Sequence, residues 1–534
     1  MTDAVTTPQV VLAALVREQA ARLPDLNVIT FVSLDEGGNY VDETRTFPQL
    51  YTNAQALARA LKNFGVDQHD NIALMMNNHP EFVETMIATT VIGAAFVPID
   101  PRTMGAKLAY MLDFTECRGV VCADYCVASV LAIAGECKNL QWLIVVGTAS
   151  PQTTTASPLK IRSYTDVMAT PGADLPIIEQ PLDEPMFMMF TSGTTGNPKA
   201  VINSHQKYMA LATSMARFGV GASDRLYTGL SLTHINAQNT LRNALALGIP
   251  AVFSRKFTKS RLWDICRRYN CTVFNLLGGM IPEIYAVPER PDDANNPVRL
   301  IFSSGMPVHI WEKFKRRFGV ELSEGYGATE GGGMSNPPGS GGPVGSIGKP
   351  SPDWEAAILD ENGNRCPPHV EGEICFRRRD GGPIVVDYYK NTEASNEKVR
   401  GGWLHMGDLG HMDENGWFFF HHRVGGGVRK NGDFVNTTLV EIVLTQSPLV
   451  DDVFVYGVAT AKNVAGEKTL IAAIVPTDTS TFSESALLDY CRQHLEKNDV
   501  PEIIQVLEAI PKTISEKPIE KACIDLLRER ELIS

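Results

Sequence analysis

The amino-acid sequence predicts an α/β protein: a large N-terminal region of mostly parallel sheets with helices, an antiparallel β-region, and a small C-terminal α+β domain. Three observations carry this reading. Short apolar runs alternate with segments of helical periodicity over roughly the first 340 residues. Asn-Gly turns between short strands follow, and beyond a run of three glycines, which makes the last part mobile, a smaller α/β pattern closes the chain.

The elements justify themselves in order. Phe47, Leu50, Ala54, Leu57, Ala58 and Leu61 recur at helical spacing, so residues 45–65 read as a helix stopped by Gly65. A strand at Ile72–Met76, a helix over Pro80–Gly93 and a strand at Ala95–Ile99 come next. Further strand-like runs lie at Gly119–Cys122, Trp142–Val146, Met186–Phe190, Ala251–Ser254, Thr272–Leu276 and Leu300–Ser303, with helical patterning at Arg261–Tyr269 and Trp311–Phe318. Such alternation implies βαβ units and a largely parallel sheet. The turns Asp360–Asn364 and Asp413–Trp417 each contain Asn-Gly between short strands and predict antiparallel hairpins. After Gly425, Gly426 and Gly427 come strands Val453–Val458 and Leu470–Val475 and a helix Glu484–Leu495. The domains are therefore expected at 1–421, with a hinge at 422–427 and a small domain at 428–534.

Composition sets the limits. At 534 residues the chain exceeds one hydrophobic core. Its 44% hydrophobic and 20% charged residues suit an ordinary globular protein. Lys and Arg number 48 against 61 Asp and Glu, a net charge of −13, which argues against nucleic acid as a partner while leaving room for a local anion site. Ten cysteines without a CxxC pair suit reduced, mostly buried thiols and a cytoplasmic location. No window approaches the ~20 apolar residues of a membrane span. Composition does not speak to oligomeric state.

The strongest chemical signal is Thr191-Ser192-Gly193-Thr194-Thr195-Gly196-Asn197-Pro198-Lys199, directly after an apolar strand. Hydroxyls, two glycines and a Lys in nine residues make a loop whose backbone N–H groups can approach a polyphosphate. It is not a Walker A loop, because Pro198 precedes the Lys and no Ser or Thr follows it. A solvated turn is the bland alternative for such a loop.

The string resembles the phosphate-binding signature of the superfamily of acyl-CoA synthetases, nonribosomal peptide synthetase adenylation domains and beetle luciferases. The resemblance runs in order along nearly the whole chain, and is strongest to free-standing acyl-CoA ligases. Ser304-Gly305-Met306-Pro307 matches the segment lining the adenine pocket. In Gly325-Tyr326-Gly327-Ala328-Thr329-Glu330 the resemblance places the aromatic near adenine, the Thr on phosphate and the Glu on Mg²⁺. Asp408, in Gly402–Asp408, would take the ribose hydroxyls, Arg423 would serve ribose or phosphate, and Lys517 would be the catalytic lysine of the tail motif Ile510–Lys517. His234, Asn275, Gly278 and Gly279 would border the acyl pocket, and His422 and Gly432 would serve the hinge and CoA.

The implied activity is an AMP-forming carboxylic acid:CoA ligase using ATP, Mg²⁺ and coenzyme A, its substrate a small-molecule carboxylic acid. These residue types suit that chemistry. Adenylation joins two anions and expels pyrophosphate, so N–H donors, a cation and Mg²⁺ belong at the α-phosphate. Thr191, Lys199, Glu330 and Lys517 supply them. An acyl-carrier protein as acceptor is the nearest alternative, and a non-catalytic nucleotide-binding relative the more distant one.

Three places depart from the family pattern. The hinge pair, usually Asp-Arg, reads His422-Arg423, and the loop usually reading Gly-Gly-Glu-Asn reads Asn431-Gly432-Asp433-Phe434. Glu516 stands where a Gly is usual beside the catalytic Lys, and Lys521 is a second lysine close by.

Overall fold

A computed structural model describes residues 8–147, 159–191, 198–278, 280–423, 428–430, 433–435, 437–459, 468–495, 497–513 and 516–530. The chain forms two compact units. The first comprises Met1–Asn275, Asn295–Ile301 and Val386–Glu397, and the second Leu276–Ala294, Phe302–Val385 and Lys398–Ser534.

In the first unit the apolar runs become strands because each is short and bounded by turn residues. Seven of them form one sheet in the order Lys160–Ser163, Trp142–Val146, Cys117–Ala123, Asn71–Met75, Ala95–Pro98, Pro185–Thr191, Lys199–Ser204. All its pairs are parallel except the last, which is antiparallel. A second group places Val273–Leu277, Leu226–Thr228, Ala251–Ser254, Asn27–Leu34 and Tyr40–Thr46 side by side, parallel but for the final hairpin. The predicted first helix spans Phe47–Asn63, and its start is fixed by a reciprocal cap between Thr46 and Gln49. The helix Pro80–Ile92 is buried on every side, so its sequence is apolar rather than amphipathic.

The second unit is antiparallel where the Asn-Gly turns predicted it. Trp354–Leu359, Gly372–Arg378, Trp403–Met412 and Val399–Arg400 are successive neighbours in one sheet, and Phe418–Arg423 also pairs with Trp403–Met412. The Asp413–Trp417 turn joins Met412 to Phe418 directly, as expected. The Asp360–Asn364 turn forms, with the Asp360 N–H donating to the Asn364 carbonyl at 2.9 Å, and it closes a short antiparallel bridge between Leu359 and Arg365. The strand that pairs with Trp354–Leu359 begins only at Gly372.

The C-terminal stretch has a small sheet of its own. Val450–Val458 runs antiparallel to Thr469–Pro476, which runs parallel to Ile503–Val506. Period-2 alternation divides its core. Leu470, Ala472 and Ile474 pack with Val440, Leu444 and Leu487, while Ile471 and Ala473 pack with Tyr456, Leu507, Cys523 and Leu527. The predicted helix there spans Glu484–His494. Gly425, Gly426 and Gly427 of the expected hinge lie outside the described residues.

All ten cysteines are free thiols, and all but the half-exposed Cys366 are buried. Among the described residues no helix is long and apolar enough to cross a membrane.

Candidate active site

The phosphate signature is anchored at both ends. Thr191 ends one strand, Lys199 begins the next, and the two are direct partners in the antiparallel pair. The Thr191 hydroxyl donates to the Lys199 carbonyl at 3.4 Å. The Lys199 ammonium stands 5.4 Å from the Tyr388 ring centroid, an attraction of roughly 0.5–1 kcal/mol at a partly exposed site. Tyr388 itself bridges Val201 along the backbone, and the Tyr389 N–H donates to the Ala200 carbonyl at 2.9 Å. Tyr388 is thus a buried packing residue that also faces the cation. Ser192, Gly193, Thr194, Thr195 and Gly196 lie outside the described residues.

His234 is the residue preceding the helix Ile235–Leu247, with extended φ −119° and ψ 146°, and its N–H donates to the Ser231 carbonyl at 2.9 Å. Asn275 is 4% exposed in the strand Val273–Leu277. Its amide Nδ2 donates to Asn236 Oδ1 at 2.7 Å, which brings two acyl-pocket candidates to the same helix start. Asn236 was not singled out by the sequence. Gly278 packs closely against the backbone at Gly305. A Cβ there would meet the Gly305 carbonyl oxygen at 2.8 Å, and the Gly278 N–H donates to the Ser304 carbonyl at 2.8 Å. The room its missing side chain leaves is taken by the 304–307 loop, so close backbone approach explains this glycine. Gly279 lies outside the described residues.

Glu324 organises the adenine-pocket candidates. It is 3% exposed and accepts hydrogen bonds from the Ser303 hydroxyl, the Gly305 N–H and the Met306 N–H. Burial raises its carboxyl above the ordinary value, opposed by those donors. The Ser304 hydroxyl donates to the Gly325 carbonyl at 2.8 Å, so Ser304, Gly305, Met306 and Pro307 are pinned beside the Gly325–Glu330 signature. The sequence reading missed Glu324. Its one signal was a carboxylate directly before the Gly325–Glu330 motif.

Tyr326 and Gly327 lie on the strand Glu321–Ala328, which returns antiparallel as Gly331–Asn336. Ala328 pairs with Gly331, leaving Thr329 and Glu330 as the two turn residues. The Tyr326 ring stacks on Phe376 at 6.3 Å and 15°, and its hydroxyl donates to Asp408 Oδ2 at 2.5 Å.

Asp408 is 4% exposed in mid-strand, opposite Arg423. It is therefore no turn residue; the turn comes at Asp413–Trp417. His422, one residue before the strand's end, is buried opposite Leu409. Gly432 and Asn431 lie outside the described residues.

Lys517 is exposed on a loop closed by a Lys512–Pro518 bridge and by the Thr513 N–H donating to the Lys517 carbonyl at 2.7 Å. Glu516, in the usual place of Gly, has φ +57°, the left-handed region. That accounts for the family's glycine, since a side chain there costs about 1 kcal/mol. Lys521 is exposed on the separate helix Glu520–Glu529. Lys512 is held between Glu283 at 3.1 Å and Asp452 at 2.7 Å, so the motif is anchored five residues before Lys517.

Within the second unit, a buried carboxylate thus takes a tyrosine hydroxyl on one oxygen, and the neighbouring 304–307 loop is held by hydrogen bonds to Glu324. Residues 16–385 match the family of AMP-binding enzymes, and residues 439–517 match the AMP-binding enzyme C-terminal domain. The chain belongs to the AMP-binding enzyme family. It is 28% identical over 486 residues to a crotonobetaine/carnitine–CoA ligase of Salmonella typhimurium, covering 89% of this chain and 92% of that one. Its fold is that of the anthranilate CoA ligase AuaEII, solved with anthranoyl-AMP, at a TM-score of 0.81 and 21% identity, covering 97% and 98% of the two chains. A benzoate CoA ligase from Burkholderia xenovorans LB400 gives a TM-score of 0.79 at 22% identity, covering 96% and 99%. The O-succinylbenzoate CoA synthetase of Bacillus subtilis, solved with ATP and magnesium, gives 0.76 at 23%, covering 96% and 99%.

Proposed function

We propose that this chain is an AMP-forming carboxylic acid:CoA ligase. The observation that carries the reading is the Tyr326–Asp408 pair beside the loop held by Glu324, in a chain whose residues 16–385, Tyr326 and Glu324 among them, match the family. The names of the similar proteins, CoA ligases throughout, favour CoA over a carrier protein as acceptor.

In the first step a substrate carboxylate oxygen attacks the α-phosphorus of ATP, the bond to the β-phosphate oxygen breaks, and pyrophosphate leaves. Asp408 orients the nucleotide through the ribose hydroxyls, aided by Arg423, and Ser304–Pro307 with Gly325 and Tyr326 bracket the adenine. The loop Ser192–Gly196, with Thr191 and Thr329, donates to the phosphates, and Lys199 and Lys517 offset the charge that builds there. Glu330, a half-buried turn carboxylate, offers the hard oxygen that Mg²⁺ takes, and Mg²⁺ bound with ATP neutralises phosphate charge. His234 and Asn275 border the acid.

In the second step the CoA thiol attacks the acyl carbonyl, loses its proton, and releases AMP. Residues 1–421 form the adenylating region, 422–427 the hinge at His422, and 428–534 the mobile domain that presents Gly432 to CoA. The C-terminal stretch supports this division by having a hydrophobic core of its own. The protein acts in the cytoplasm. Pyrophosphate release measured across a panel of carboxylic acids tests the reading: one class of acid stimulates release, and failure of every acid with a folded protein would refute it.

A further inference from the structure

On the antiparallel sheet of the second unit that also carries Asp408, Glu373, Cys375 and His405 converge. Glu373 and Cys375 are two apart on the strand Gly372–Arg378, so both side chains leave the same face. Cys375 pairs directly with His405 of the strand Trp403–Met412. His405 Nδ1 lies 2.7 Å from Glu373 Oε2 and 3.3 Å from Cys375 Sγ, and one ligand atom from each residue lies within 4.8 Å of the others. Cys375 is fully buried, and the His405 and Glu373 side chains are only 11% and 17% exposed.

We propose that Glu373, Cys375 and His405 form a binding site for a zinc-type divalent cation. Thiolate, imidazole and carboxylate together are the donor set of a borderline-soft ion, not of Mg²⁺ or Ca²⁺. A tetrahedral zinc ion holds N, O and S ligand atoms about 3.4–3.6 Å apart, from bond lengths of about 2.0–2.3 Å. The Sγ–Nδ1 separation of 3.3 Å is already close to that, and the Nδ1–Oε2 separation of 2.7 Å must open by about 0.7 Å, within reach of a side-chain rotation of Glu373. The direct strand pairing of Cys375 with His405 holds two of the ligands together before binding.

A hydrogen-bonded His–Glu pair with a packing thiol needs no ion, and that is the rival account. It differs in what the thiol does. In the site the thiol is a ligand, and binding forms the S–metal bond with release of the thiol proton to solvent. His405 binds through Nδ1, so its ring proton moves to Nε2. Water fills the fourth position.

Cobalt(II) titration of the full chain, freed of metal by chelation, tests this. One Co²⁺ per chain should bind with a near-ultraviolet thiolate-to-cobalt band, displaced by one equivalent of Zn²⁺. Cys375→Ser should lose the band and bind at least about 10-fold more weakly. Cys375→Ala should also lose it, and matching far-ultraviolet spectra establish that both variants are folded. Absence of the band in the parent chain, or its survival in either variant, overturns the site.

Discussion

The Tyr326 hydroxyl donates a 2.5 Å hydrogen bond to Oδ2 of Asp408, tying the aromatic of one signature to the carboxylate of another. The two residues lie on different strands of the second unit, and each is held independently: Tyr326 by stacking on Phe376, Asp408 by its pairing opposite Arg423. The carboxylate is therefore oriented before nucleotide arrives.

Tyr326→Phe keeps the stacked ring and removes only that donor. A hydrogen bond to a charged group is worth about 1.5–3 kcal/mol, partly recovered when the ribose binds, so KM for ATP should rise by about 10-fold. Asp408→Ala should raise it further, and adding Tyr326→Phe to it should change little, because the partner is already gone. Full additivity in steady-state kinetics would show that the two act separately.

Glu324→Gln tests the adenine loop. Three donors converge on the two oxygens of this carboxylate, and glutamine keeps one acceptor oxygen while its NH₂ cannot accept from the donors on the other. The 304–307 loop should loosen, with KM for ATP rising by about 10-fold and little change in the concentration dependence on acid. Unchanged ATP dependence would remove Glu324 from the site.

Lys517→Ala should slow acyl-adenylate formation by roughly 10²–10⁴-fold, the range for one transition-state charge contact. Thioester formation from supplied acyl-AMP should be nearly untouched. Rapid-quench measurement of both half-reactions checks this, and Lys521→Ala showing the pattern instead would shift the catalytic role to the other lysine.

Burial raises the Glu441 carboxyl to about 7, opposed by the hydrogen bond it accepts from the Val455 N–H and reinforced by the Asp452 charge. A carboxyl whose folded value lies above its unfolded one contributes stability that is full below about 4.5 and lost as pH rises through about 7. Glu441→Gln should therefore raise the melting temperature at pH 8 and not at pH 5. Equal shifts at both pH values in calorimetry would show that the carboxyl ionises normally.

Much of this was legible in the sequence because local pattern and tertiary role agreed. Trp142–Val146 and Trp311–Phe318 form elements with the expected boundaries, since an apolar run bounded by polar turns and a helical stripe each fix their own limits. The antiparallel return of Lys199–Ser204 was not legible, because pairing partners are chosen across the fold rather than along the chain. Glu324 was hidden for a related reason: its three donors come from residues 303–306, and nothing local reports their approach. The close approach of Gly278 to the Gly305 backbone is a contact invisible without coordinates. Glu516 was seen as a departure, and only its φ of +57° explains why glycine is usual there.

The most direct measurement of the central claim follows oxygen. A stimulating acid labelled with ¹⁸O in both carboxylate oxygens is turned over with ATP and CoA, and the products are examined by mass spectrometry. Attack of the carboxylate on the α-phosphorus makes one labelled oxygen the bridge of the acyl-AMP, and cleavage by the CoA thiol leaves it on the phosphate. One ¹⁸O per AMP, none in pyrophosphate, and acyl-CoA formed in equal amount are the predicted result. Label in phosphate or pyrophosphate, or unlabelled AMP beside the thioester, would contradict the account.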